Sequence, residues 1–264
     1  MDLLDELRLL IARHAGSDQT SAILPDIMLG RITAPTLPLG DVTDPVFGLV
    51  VQGAKRAVLG DRVFDYGAGE YLIVGVDLPL VANVTEASGT APFLGFGFTL
   101  NRSAIARLLL EADFEGDRSA PPGIDREILW RLVNGDQGMV VRQLGLADSR
   151  LSQIGRAVRW IRVHHAEALR IDALARVADM SATSFFRHFR AVTSLTPIQY
   201  QKQVRLQEAR ARLMIEPGHV AAVGFAVGYD SPSQFSCEYR RLFGAPPGRD
   251  VALLQAESSS YEKD

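Results

Sequence analysis

From residue 20 to about residue 100 the chain alternates short apolar runs with glycine, proline and acidic positions, a spacing that predicts strands. The runs are Phe47–Val51, Ala57–Leu59, Arg62–Tyr66, Tyr71–Val74, Leu80–Val84 and Phe93–Phe98. Gly60-Asp61 and Gly67-Ala68-Gly69 mark tight reversals, since glycine takes the positive φ of hairpin turns without steric cost. Many short strands at even spacing predict a small antiparallel barrel or sandwich. Ahead of them, Met1–Gly16 sets acids among leucines and reads as a short amphipathic helix, not as a signal peptide.

At Asn101 the apolar period changes from strand-like to helical. Ser103–Glu111 places Ile105, Leu108 and Leu109 on one helical face. Asp113–Gly123 reads as a polar connection, and Asp125–Val133 and Met139–Leu146 as further helices separated by Asn134–Gly138. Beyond Ser149 the pattern is helical to about Leu254, and the polar end Glu257–Asp264 is expected to fray. The chain is therefore divided into a β-rich part at residues 1–100, a helical linker at 101–150, an all-α part at 151–255 and a tail at 256–264.

Two stretches of the all-α part share one pattern. In Ile171–Arg190, Leu174, Ala175 and Ala178 share an inward face, and a turn falls at Asp179-Met180. Ser181 then stands as N-cap of a second helix whose inner side carries Phe185 and Phe189. Its outer side carries Thr183, Phe186, Arg187 and Arg190. In Val220–Gly244, Val223, Gly224 and Val227 form the packed side of the first helix and Gly228 supplies the turn. Ser231 is the N-cap and Pro232 sits at the first helical position, where it costs no hydrogen bond. Phe235, Tyr239 and Leu242 face inward; Ser233, Gln234, Cys237, Arg240 and Arg241 lie at or near the outer face. A bracing helix, a tight turn and a helix with a polar outer row make a helix-turn-helix, which sets that row against the major groove of DNA. The two units are joined by an amphipathic helix, Pro197–Met214.

The segment from about Ile154 to Leu253 resembles the DNA-binding domain of AraC/XylS-family transcription regulators. The resemblance rests on Ser181-x-x-x-Phe185-x-x-x-Phe189, Thr196-Pro197-x-x-Tyr200, Arg205-Leu206-x-x-Ala209, the run Val227–Phe235 and Phe243-Gly244-x-x-Pro247. The β-rich part resembles the cupin-like regulatory domain of one AraC subfamily, through Gln52-Gly53-Ala54-Lys55, Leu59-Gly60-Asp61, Asp65-Tyr66-x-x-Gly69-x-Tyr71-Leu72 and Val76–Pro79. Together they imply an N-terminal antiparallel cupin-like β-barrel followed by an all-α domain with two helix-turn-helix units. They also imply a transcription regulator, by family habit an activator, whose partners are double-stranded promoter DNA, RNA polymerase and a small-molecule effector. The sequence departs from the family pattern at Cys237, where arginine is usual, and at Phe186, where a polar residue is usual. Residues 101–138 form a shorter link than in relatives; such links commonly make a homodimer.

Composition narrows the alternatives. Residues 151–250 hold 14 Lys and Arg against 8 Asp and Glu, a net of +6, while residues 1–150 hold 13 against 20, a net of −7. A basic segment behind an acidic one fits a polyanion partner for the former only. Cys237 is the single cysteine, so no intrachain disulfide forms and a cytoplasmic setting fits. No apolar run reaches the ~20 residues of a membrane span. Asp61, Asp65 and Glu70 cluster near a turn, but the five histidines, His14, His164, His165, His188 and His219, all fall outside the strand region. A cupin enzyme holds its metal with histidines, so the expected chain has no cofactor, no metal ligands and no catalytic group. Phe64, Tyr66, Tyr71, Phe93, Phe96 and Phe98 fit either a ligand pocket or a filled core. The rival readings are a protein–protein adaptor that has lost DNA reading, motivated by Phe186 and Cys237, and a cupin-type enzyme.

Overall fold

The computed structural model describes residues 2–16, 19–115 and 123–261. The chain divides into two compact units, Met1–Leu39 with Thr43–Arg156, and Ala157–Asp264 with Gly40–Val42.

The first unit opens with α1 (Leu3–His14). The strands β1 (Gln19–Leu24), β2 (Ile27–Ile32), β3 (Leu39–Thr43), β4 (Val46–Gln52), β5 (Ala54–Leu59), β6 (Arg62–Gly67), β7 (Tyr71–Val74), β8 (Leu78–Glu86) and β9 (Phe93–Thr99) follow. Among the described residues they do not close into one barrel; they form a five-stranded sheet, β1-β2-β9-β4-β7, and a four-stranded sheet, β3-β8-β5-β6. The β1–β2, β2–β9, β4–β9, β4–β7, β5–β6 and β5–β8 pairs are antiparallel. Alternation along each strand sorts its side chains between two faces. On one face of the larger sheet Leu29, Val51 and Leu94 pack with Ile11 of α1. On the opposite face Val50 and Phe93 join Val84 and Tyr66 of the smaller sheet.

Three helices continue this unit: α2 (Arg102–Glu115), α3 (Ile124–Asn134) and α4 (Gly138–Gly145). Ile105, Leu108, Leu129, Val133, Val141 and Leu144 bury their side chains with Phe98 and Leu100, and Phe47, Ile73 and Phe96 pack alongside. The stretch read as a linker thus forms a helical layer on the outer face of the five-stranded sheet. Fully burying an aliphatic or aromatic side chain is worth roughly 1.5–3 kcal/mol, which accounts for the helical period of residues 103–111. The connection expected from Asp113 begins later, because α2 runs to Glu115; residues 116–122 lie outside the described residues.

The helix α5 (Arg150–Val163) leads into the second unit, which holds α6 (Ile171–Val177), α7 (Ala182–Thr193), α8 (Pro197–Ile215), α9 (Val220–Ala226), α10 (Pro232–Phe243) and α11 (Pro247–Tyr261). α8 starts on a capping box in which Thr196 and Gln199 each satisfy the other's backbone N–H. α11 continues to Tyr261, into the stretch expected to fray, and residues 262–264 lie outside the described residues. Among the described residues no helix is long and apolar enough to cross a membrane.

Candidate nucleic-acid interface

The pairs α6–α7 and α9–α10 are two copies of one device. In the first, the N–H of Met180 donates to Ala175 O and that of Asp179 to Arg176 O. In the second, the N–H of Tyr229 donates to Gly224 O and that of Gly228 to Phe225 O. Asp179 and Gly228 occupy the same left-handed turn position, with φ of 55° and 92°. Each second helix begins on a serine: Ser181 Oγ accepts from Ser184 N at 3.3 Å, and Ser231 Oγ from Gln234 N at 3.4 Å. Each ends on a left-handed residue, Ser194 and Gly244.

Aromatic spacing fixes which side of each helix is buried. Phe185 and Phe189 are fully buried with ring centroids 5.4 Å apart, and Phe189 meets Tyr200 of α8 edge-on at 5.7 Å. Phe235 and Tyr239 repeat the arrangement at 5.6 Å, within a cluster that includes Leu206, Ala209 and Leu213 of α8. At Gly224 a Cβ would stand 2.9 Å from the Phe235 ring, so α9 and α10 approach closely only because no side chain intervenes.

With the inner side so fixed, the opposite side is open. Thr183, Phe186, Arg187 and Arg190 are exposed on α7, and Phe186 shows 44% of its surface, so it is not buried against the neighbouring helix. Ser233, Gln234, Cys237, Arg240 and Arg241 are exposed on α10. Ser181 and Ser231 differ from the rest in that each hydroxyl already serves as a cap acceptor. The structure brings the first group together on one helix and the second on the other, with α8 packed against both units.

Three features of the site went unassigned in the sequence. Arg205 of α8 donates from Nε to His165 O (2.6 Å), from Nη1 to Gly228 O (2.7 Å) and from Nη2 to Glu167 O (3.0 Å), tying the segment before α6 to the turn of the second unit. Burial holds its guanidinium below the ordinary arginine value, against the pull of Tyr229, Asp230 and Glu238. Gln201 Nε2 donates to His165 O and Glu167 O beside it. Below the second unit, Arg210 makes a two-pronged pair with Asp250, both bonds 2.8 Å, and Tyr239 donates to the same carboxylate at 2.8 Å. On α10 itself, Glu238 accepts from Lys202, Tyr229 and Gln234. Arg205 lay inside a quoted motif, but contacts made 23 to 40 residues away leave no local pattern.

Two helix-turn-helix units in one helical unit, preceded by a unit of two antiparallel sheets, define the class of paired helix-turn-helix proteins with an added β domain. Residues 23–124 match the family model of the AraC-type transcriptional regulator N-terminus, and residues 174–251 match a helix-turn-helix domain model. The first stretch is therefore similar to the N-terminal domain of AraC-type transcriptional regulators, and the second to a helix-turn-helix domain. It is similar to the HTH-type transcriptional activator RhaS of Escherichia fergusonii, 32% identical over 127 residues that cover 46% of this chain and 42% of the relative. RhaS of Citrobacter koseri is 29% identical over 167 residues, 59% of each chain. The chain thus spans about half the length of the curated relatives it matches. Among solved structures, ToxT from Vibrio cholerae shares the fold at 8% identity, with a TM-score of 0.52 over 86% of this chain and 98% of that one.

Proposed function

We propose that this protein binds double-stranded promoter DNA by laying α7 and α10 in successive major-groove segments, and that it thereby activates transcription. The observation that carries this is the pair of outer rows just described, one on the second helix of each unit, on a segment of net charge +6. Arg187 and Gln234 are assigned to base edges, with Thr183 beside Arg187. Arg190, Arg240 and Arg241 are assigned to phosphates. Ser181, Ser231 and Ser233 sit at helix N-termini, where exposed N–H groups favour a phosphate. Phe186 is assigned to a thymine methyl, the apolar feature of the groove. Cys237 adds no charge at a position where the family pattern has arginine. The activator sign is supported by the similarity to the transcriptional activator RhaS, and RNA polymerase as a partner follows from the family resemblance alone. In this reading the protein is non-enzymatic and cytoplasmic, and the short link at residues 101–138 argues against the homodimer that such links commonly make.

A small-molecule effector, as the family resemblance implies, would act through the β unit, whose two sheets meet at Val50, Val84 and Phe93. Lys55 pairs across strands with Tyr66 and Val84, and both belong to the cluster that joins the sheets. Burial lowers the Lys55 pKa and pushes the Tyr66 phenol up to about 12.

The direct test is titration of purified full-length protein with duplex DNA at two salt concentrations. Phosphate-driven binding should weaken steeply with salt, and Arg240→Ala or Arg241→Ala should lower the slope by about one counterion each. Binding insensitive to salt and to both substitutions would favour the adaptor reading.

A further inference from the structure

On α10, Gln234 and Glu238 stand one helical turn apart, and their side chains meet: Gln234 Nε2 donates to Glu238 Oε1 at 3.2 Å. A carboxylate oxygen only accepts, so this contact settles which end of the carboxamide faces Glu238. The carboxylate is itself fixed from outside the helix. Lys202 of α8 reaches Oε1 at 2.6 Å, and the Tyr229 hydroxyl reaches Oε2 at 2.9 Å. Tyr229 is buried, with its ring 5.3 Å from that of Phe235, so its hydroxyl is anchored in the core of the unit. Burial works against the charged carboxylate, yet the bonds from Lys202, Tyr229 and Gln234 hold the Glu238 pKa below its ordinary value. Lys202 also offsets a negative charge that would otherwise repel a polyanion.

We infer that Glu238 is a positioning residue that locks the Gln234 carboxamide in one orientation, so that this helix selects adenine at one position of its half-site. With one N–H held by Glu238, Gln234 keeps its second N–H and its carbonyl oxygen. Those two groups match adenine N7 and N6–H in the major groove, and no other base offers that acceptor–donor pair there. Without the lock the amide is free to turn over and sample several rotamers, and the two-pronged contact is no longer prepared in advance. This inference rests on the proposed DNA reading by α10.

The test compares base preferences from random-duplex selection for the full-length protein and for Gln234→Ala, Glu238→Ala, Glu238→Gln and the Gln234→Ala/Glu238→Ala double variant. Melting curves establish that each is folded. The wild type should prefer adenine at one position, and Glu238→Ala should cut that preference about tenfold, within the range of one two-pronged contact. Preferences in the other half-site should stay unchanged, which a general loss of structure would not permit. Glu238→Gln keeps an oxygen acceptor for Lys202 and Gln234 and should retain the preference. The double variant should match Gln234→Ala. An unchanged adenine preference in Glu238→Ala, or an added effect of Glu238→Ala when Gln234 is already alanine, overturns the inference while leaving DNA binding intact. A wild type that enriches no motif overturns the DNA-reading proposal, and this inference with it.

Discussion

Asp250 lies 40 positions from Arg210 in the chain, yet both side chains are more than nine-tenths buried and joined by two hydrogen bonds. Removing one partner of such a pair leaves a charge in a low-dielectric setting, at a cost of roughly 3–5 kcal/mol. Asp250→Ala should therefore destabilise the helical unit by that amount in urea melts; a loss below about 1 kcal/mol would mean that water already reaches Arg210. Lys55 is the opposite case, a cation whose burial lowers its pKa in the folded state. Below the folded pKa the burial cost is borne in full, and it is relieved as pH rises towards the ordinary lysine range. Lys55→Met should raise the melting temperature of the β unit at neutral pH, and the gap should narrow as the solution becomes alkaline. A gap that is constant with pH would show that the charge is not responsible.

At the scale of elements, the turn between the two helices of each unit decides how they cross. Gly228 has φ of 92°, and a Cβ there would stand 2.4 Å from the carbonyl oxygen of Ala166. Gly228→Ala should cost more than about 1 kcal/mol through backbone strain alone, with the clash added. Asp179 holds the same turn position without a glycine, and Asp179→Gly should be neutral or stabilising by up to about 1 kcal/mol. Paired melts of the two variants check the contrast, and equal losses would deny that the turns are equivalent. Both turns were legible, because Gly228 and the Asp179-Met180 break interrupt strong helical periods. The strands from Phe47 onward were legible for a similar reason, since alternation and turn residues bracket each of them. β1, β2 and β3 were not individually legible. β2 is held by Phe93–Phe98, which pair with it across some 65 residues, and such pairing leaves no mark in a local window. Among the described residues β1 in turn pairs only with β2 in its sheet. Strand spacing left barrel and sandwich open and the closed barrel came from the family resemblance, because sheet closure depends on registers that spacing does not contain.

For the whole molecule, the outer rows of α7 and α10 were readable because a buried aromatic spacing fixes its own opposite face. What supports those rows from behind, Arg205 on the 165–167 carbonyls and Glu238 between Lys202 and Tyr229, was invisible for want of any local signature. If the family habit of arginine at position 237 reflects a phosphate contact, Cys237→Arg should tighten DNA binding several-fold at low salt, and the gain should shrink as salt rises. An undiminished gain at high salt would assign that position to a base instead. The central claim is that one monomer carries two reading heads. It is tested most directly by selecting random duplex DNA with the wild type, Arg187→Ala and Gln234→Ala at two salt concentrations. The account predicts an enriched site of two half-sites about 10–10.5 base pairs apart, with each substitution blurring a different half. Salt-sensitive binding with no enriched motif, or one half-site blurred by both substitutions, would contradict it.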